Sequence, residues 1–155
     1  MPNYLDVIRM LQRQIELIKN RELLTGTDYF EFQPRIYADQ CWKDDSVFMD
    51  EEVFTLIEPI FKKNISDYDH YAFMVVCAKT WKSIISDLDE TKMRLKTITP
   101  KEIDKLLGMM FTTTKENFNS DFIENVNRTK LLINDLQEWL TAELLNHQNI
   151  SILGM

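Results

Sequence analysis

The residues of this sequence with the most evident chemistry are acidic and aromatic, and they are concentrated between positions 31 and 52. Seven acidic and two basic residues give this stretch a net charge of −5, out of −7 for the whole chain. Aromatic rings supply rigid contact area, and carboxylates speed the capture of a cationic surface. The pattern therefore predicts a surface that binds a basic protein. The predicted binding residues are Tyr37, Asp39, Trp42, Asp44, Asp45, Asp50, Glu51 and Glu52.

The same stretch has a plainer interpretation. A solvated acidic loop could fold its aromatic side chains back over the protein core as a lid. On this interpretation Trp42 contributes to stability, whereas on the first it anchors a partner. The sequence alone leaves both interpretations open.

Catalytic and metal-binding motifs are missing from the sequence. It contains no glycine-rich phosphate loop, no GxSxG elbow, no CxxC pair and no HExxH, and its two histidines are His70 and His147. The segment DYDH, Asp67–His70, could hold a metal through two carboxylates and one imidazole. We favour a simpler assignment, in which Asp67 or Asp69 caps a helix and His70 lies on the surface. No catalytic residue, metal or cofactor is predicted.

Composition narrows the class of protein further. A chain of 155 residues fits one domain, here residues 1–155, with a core that needs no disulfides. Cys41 and Cys77 are expected to be reduced, with Cys77 in the core. The longest apolar run, AFMVVCA, is far shorter than a membrane span of about 20 residues. Because no secretory leader is recognisable at the N-terminus, we expect a cytoplasmic protein without a membrane partner.

The spacing of apolar residues predicts an all-α fold, a bundle of five to six helices with an acidic loop between the first two long helices. A short strand near 29–32 or a helical turn near Tyr37 is the alternative within that loop. The pattern of Thr99 to Glu102 is typical of a capping box. Pro59 should kink or break its helix. The expected helices are 3–24, one starting at Asp50, 69–88, 99–118 and 121–147. The helix over 69–88 is expected to bury Phe73, Cys77, Trp81, Ile84 and Leu88.

In size, acidity, missing catalytic motifs and the segment YADQCWKDDSVFMDEE (37–52), the chain resembles immunity proteins of contact-dependent inhibition and related polymorphic toxin systems. The resemblance implies a protein that binds and neutralises a basic toxin domain, often a nuclease, and for this chain we favour an RNase over a DNase. Direct nucleic-acid binding is disfavoured because acidic faces repel phosphates. The alternatives are a helical adaptor or regulatory module without a toxin partner, and an enzyme with an unrecognised site. The oligomeric state stays open.

Overall fold

A four-stranded antiparallel sheet forms one layer of the structure, where the sequence predicted at most one short strand. The computed structural model describes residues 14–109 and 111–154. The strands are β1 (Tyr29–Pro34), β2 (Val47–Asp50), β3 (Phe73–Cys77) and β4 (Asn149–Leu153), in the order β2-β1-β4-β3. The predicted all-α bundle is therefore wrong, and the chain has a mixed α/β fold.

The described residues also form five α-helices and one short 3₁₀ helix. They are α1 (Glu51–Asn64), α2 (Ala78–Leu95), α3 (Ile103–Leu106), α4 (Thr112–Ser120), α5 (Phe122–Glu143) and the 3₁₀ helix Arg21–Leu23. Helices α1 and α2 lie against one face of the sheet, and α5 packs on α2. None of the helices in residues 14–109 and 111–154 combines the length and apolar character needed to cross a lipid bilayer.

The two faces of β1 differ because successive side chains of a strand point to opposite sides. Phe30 and Phe32 are fully buried on the inner face, toward the helices, where Phe30 stacks on Phe54 of α1 with ring centroids 4.0 Å apart. Glu31 and Gln33 lie on the outer face and are buried as well. Both faces of β1 are therefore covered, and something other than the helices must cover the outer one.

The helix predicted over 69–88 is instead a turn, strand β3 and the first part of α2. Consecutive β-branched residues, Val75 and Val76, favour extended backbone in a short apolar run. Phe73 and Cys77, expected in the core, are exposed because they lie on the outer face of β3. The core positions predicted further along, Trp81, Ile84 and Leu88, are confirmed in α2.

Helix α1 continues through Pro59, so of the predicted kink or break, the break does not occur. Proline has no N–H to donate to the carbonyl four residues earlier, here that of Thr55. Gly108 lies against this part of α1 and donates its own N–H to the Leu56 carbonyl at 3.0 Å. A Cβ on Gly108 would overlap the Thr55 carbonyl oxygen. The turn of α1 around Pro59 is thus packed against Gly108, and only glycine, which has no Cβ, fits at that position.

The remaining helix predictions succeed in part. Asp50 begins α1 as predicted, since its side chain accepts the Glu52 N–H at 2.9 Å, and α5 confirms the last helix. The helix expected over 99–118 is replaced by the separate helices α3 and α4, and Glu102 caps α3 without a side-chain hydrogen bond. Of the helix expected over 3–24, residues 3–13 lie outside the described residues, and 14–24 contains no α-helix but the 3₁₀ helix and an isolated β-bridge at Ile18.

Candidate partner-binding surface

The loop of residues 35–46, between β1 and β2, covers the outer face of the sheet; we call it the lid loop. Three polar residues lie beneath it, Glu31 and Gln33 of β1 and Ser151 of β4, each at most 1% exposed. Gln33 and Ser151 are direct neighbours across the two strands. Because a buried polar group is costly without hydrogen bonds, the partners of these three residues determine the path of the loop.

Glu31 is the central anchor of the lid loop. One carboxylate oxygen accepts the Trp42 N–H at 2.7 Å, and the other accepts the Lys43 N–H at 3.0 Å and the Ser46 hydroxyl at 2.6 Å. The Gln33 amide donates to the second oxygen at 3.3 Å. Charge-assisted hydrogen bonds of this kind are stronger than neutral ones. A buried carboxylate therefore holds the backbone of the loop from below.

The other two anchors hold the first half of the lid loop. Gln33 Nε2 donates to the Gln40 carbonyl at 2.8 Å. Ser151 Oγ donates to the Arg35 carbonyl at 2.8 Å and accepts the Tyr37 N–H at 2.9 Å. The sheet thus fixes the loop along most of its length.

The lid loop is held in a backbone conformation that is unfavourable at three of its residues. Arg35, Asp39 and Trp42 have positive φ angles of 80°, 58° and 59°. A non-glycine residue in the left-handed region is disfavoured by about 1 kcal/mol or more. Such a backbone persists only where surrounding contacts enforce it, and the bonds to Glu31, Gln33 and Ser151 supply them.

The two predicted aromatic anchors both rest on the sheet. The Trp42 ring stacks on Phe48 of β2 with centroids 5.6 Å apart, and the Tyr37 ring meets Phe73 of β3 edge-on at 5.0 Å. Both side chains are half-buried. A shallow groove of about 390 Å³ adjoins Trp42 and is lined also by residues of the 21–27 segment, including Arg21. Each ring therefore covers part of the sheet, as the lid interpretation expects, and also leaves a part exposed that a partner can contact.

The predicted acidic residues form two groups. One lies in the loop that follows β1, and the other lies beside the residue that precedes β1. The first group is Asp39, Asp44 and Asp45 of the lid loop. Asp39 is exposed, and the Asp44 side chain is 84% exposed although it meets Arg21 Nε at 2.8 Å. Asp45 forms an ion pair with Arg35. Two arginines thus offset part of the negative charge of the loop.

The second group, Asp50, Glu51 and Glu52, begins α1, where the Glu51 N–H donates to the Asp28 carbonyl just before β1. Asp50 caps the helix, and Glu51 pairs with His70 at 2.9 Å. Carboxylates here complement the positive end of the helix dipole. The structure therefore gives these acids local roles and does not gather all eight predicted residues into one surface.

A cluster around His70 has no counterpart in the sequence-based prediction. Its Nδ1 lies 2.6 Å from Glu58 Oε1 and its Nε2 lies 2.9 Å from Glu51 Oε1, while Tyr68 donates to Glu58 at 2.8 Å. The His70 side chain is only 14% exposed, so the predicted surface position is wrong. Since both ring nitrogens are engaged by carboxylates, His70 holds the turn before β3 against α1 and offers no free nitrogen to a substrate.

The cluster shifts the pKa values of two of its members. Burial alone lowers the pKa of His70, but the hydrogen bonds to Glu51 and Glu58 and their negative charges outweigh it, so the pKa is raised above 6.5. Burial and the hydrogen bond to Glu58 raise the pKa of Tyr68 far above its ordinary value of 10.0. The cluster therefore favours the protonated form of His70 and the neutral, donating form of Tyr68.

The His70 cluster predicts a pH-dependent stability. A group whose pKa is raised by folding stabilises fully below its unfolded pKa of 6.5, and this stabilisation is lost as the pH rises through the folded value. His70→Gln should therefore cost about 2 kcal/mol of unfolding free energy at about pH 6 and clearly less at about pH 9. Urea unfolding of both proteins across this range measures the difference, with His147→Gln as the control. A cost that is the same at every pH would contradict the prediction.

The DYDH segment is not arranged as a metal site. Asp67 has a left-handed backbone with φ 58°, and Asp69 accepts the Tyr71 N–H at 2.9 Å in a turn. Within residues 14–109 and 111–154, no three His, Cys, Asp or Glu side chains are grouped so that they could hold a metal ion. The side chains in this segment thus serve the local turn and the contact with α1.

Comparisons of the chain with protein-family models, curated proteins and solved structures find no match. Function is therefore inferred from the geometry of the lid loop. One feature of that geometry has a signal in the sequence: the alternation Phe-Glu-Phe-Gln at 30–33 is typical of a strand with a polar outer face. The partners of His70, 12 and 19 positions away, have no such signal.

Proposed function

We propose that this chain is a cytoplasmic binding protein that captures and neutralises a basic protein through the lid loop. The observation that carries the proposal is the anchoring of an acidic, aromatic loop by the buried carboxylate of Glu31. A loop that is fixed before binding loses little conformational entropy when a partner docks. Its exposed acids, Asp39 and Asp44, supply the field that attracts a cation-rich surface.

The class of partner follows from charge. Nucleases hold phosphates with Lys, Arg and His, so their clefts are basic. Carboxylates presented on a rigid loop can occupy the positions that phosphates would take. A toxin nuclease, with an RNase favoured over a DNase, therefore remains our first candidate, and the chain would act as its immunity protein.

A regulatory protein-binding module without a toxin partner is the second candidate. Arg21 and Arg35 pair with Asp44 and Asp45 and so weaken the net field of the lid loop. This arrangement favours a partner recognised mainly through the rings of Trp42 and Tyr37. The two candidates share the same surface and differ in how strongly salt affects the association rate.

Trp42→Ala tests whether the surface binds at all. The partner is first captured from the native cells with the tagged full chain, and its affinity is then measured by titration calorimetry. We expect the variant to lose about 2 kcal/mol of binding free energy, about 30-fold in affinity, because aromatic anchors dominate such interfaces.

Trp139→Ala is the matched control, since Trp139 is a half-buried tryptophan on α5. This variant should bind normally. If Trp42→Ala also binds normally but unfolds at a lower urea concentration, Trp42 serves the lid alone and the proposal fails.

A further inference from the structure

The outer edge of β3 carries backbone groups that no strand in the described part of the chain satisfies. At the ends of β3, Ala72 accepts the Gly154 N–H and Ala78 donates to the Gln148 carbonyl. In an antiparallel ladder, alternate residues bond to the same neighbour. The residues that lie between these, Phe73, Val75 and Cys77, therefore direct their N–H and C=O groups away from β4.

The two edge strands of the sheet, β2 and β3, differ in whether another segment forms backbone hydrogen bonds with them. At the other edge, Ile18 exchanges two backbone hydrogen bonds of 2.8 Å with Phe48 of β2. β3 has no such cover among residues 14–109 and 111–154, and its sequence, FMVVC, contains neither charge nor proline to discourage pairing. On its outer face, Phe73 is 45% and Val75 50% exposed. The edge of β3 is thus accessible, apolar and able to pair with another strand.

We propose that a second copy of this chain pairs with this edge, strand to strand and antiparallel, with the two-fold axis at Val75. Val75 then exchanges both backbone hydrogen bonds with Val75 of the other copy, and Phe73 lies opposite Cys77. The pairing joins two four-stranded sheets into one and brings the exposed Phe73 and Val75 side chains of both copies together on one face.

Charge at the two ends of β3 selects this occupant and this direction. Asp69 is exposed in the turn before the strand, and Lys79 is exposed in the first turn of α2 after it. Antiparallel pairing places the acidic end of each copy beside the basic end of the other. Parallel pairing would place like charges together, which is unfavourable. The strand is therefore complementary to itself in charge as well as in backbone geometry, and this inference is independent of the proposed binding function.

Sedimentation equilibrium tests the dimer. The full chain should be a dimer at about 100 µM, whereas Val75→Lys should be a monomer with an unchanged circular dichroism spectrum. Ile123→Lys is the control, because Ile123 is 77% exposed on α5, and it should stay dimeric. A wild-type chain that remains monomeric up to about 500 µM would overturn the proposal.

Disulfide trapping tests the register with small, uncharged substitutions in place of the lysine. In a Cys41→Ser, Cys77→Ser background, Val75→Cys should give a disulfide-linked dimer with oxidised glutathione. Directly opposite residues of a hydrogen-bonded antiparallel pair have Cα atoms about 5.5 Å apart, within the range of a disulfide. Ile123→Cys in the same background should stay largely unlinked. Equal linkage of the two variants, or none at position 75, would overturn the proposed pairing.

Discussion

Replacing Glu31 with alanine should release the lid loop and lower the free energy of unfolding by about 4 kcal/mol. The substitution removes the acceptor for the N–H groups of Trp42 and Lys43 and for the Ser46 hydroxyl. It also leaves a cavity at a fully buried position. Urea unfolding gives the free energy, and amide hydrogen exchange at residues 42 and 43 reports on the loop.

Glu31→Gln is the matched control for this experiment. It keeps the size of the side chain and one acceptor oxygen but loses the charge, so it should lie between the wild type and Glu31→Ala in both measurements. If the amides of Trp42 and Lys43 exchange as slowly in Glu31→Ala as in the wild type, the loop is held by other contacts. Glu31 would then not be its anchor.

The second large effect is expected from charge reversal on the lid loop. Asp39→Lys with Asp44→Lys should slow association with the captured partner about tenfold or more at low salt, because both side chains are exposed and act on an approaching cation. The effect should shrink at about 500 mM salt, where the Debye length is only about 4 Å. Stopped-flow association rates at low and high salt measure both quantities.

The control for charge reversal is Glu90→Lys with Glu116→Lys. Both of these acids are exposed, on α2 and α4, and reversing them changes the net charge of the chain by the same amount. Association rates that fall equally in the two double variants would show a general effect of net charge. The lid loop would then have no special part in capture.

The elements predicted correctly are those whose signals lie within one stretch of sequence. The Asp50 cap of α1, the long helix α5 and the core positions Trp81, Ile84 and Leu88 are confirmed because local capping and helical spacing determine them. The sheet was missed because strand pairing joins distant segments. β4 lies between β1 and β3, and its partners are 72 or more positions away, the smallest separation being that of Cys77 and Asn149.

The candidate site shows the same division between local and distant information. The acidic and aromatic residues of the lid loop can be identified from composition, but what holds them cannot. Glu31 was counted among the charges of an acidic segment, yet it is the buried anchor of the loop. Arg21 offsets the charge of Asp44, although it lies 23 positions earlier in a segment predicted to be helical.

The central claim, that the lid loop is the surface that meets a basic partner, is tested most directly by hydrogen–deuterium exchange of the full chain with and without the captured protein. We predict that binding slows exchange in residues 37–45 and leaves α5 unchanged. Protection confined to α4 and α5, with the lid loop exchanging as in the free chain, would contradict the claim.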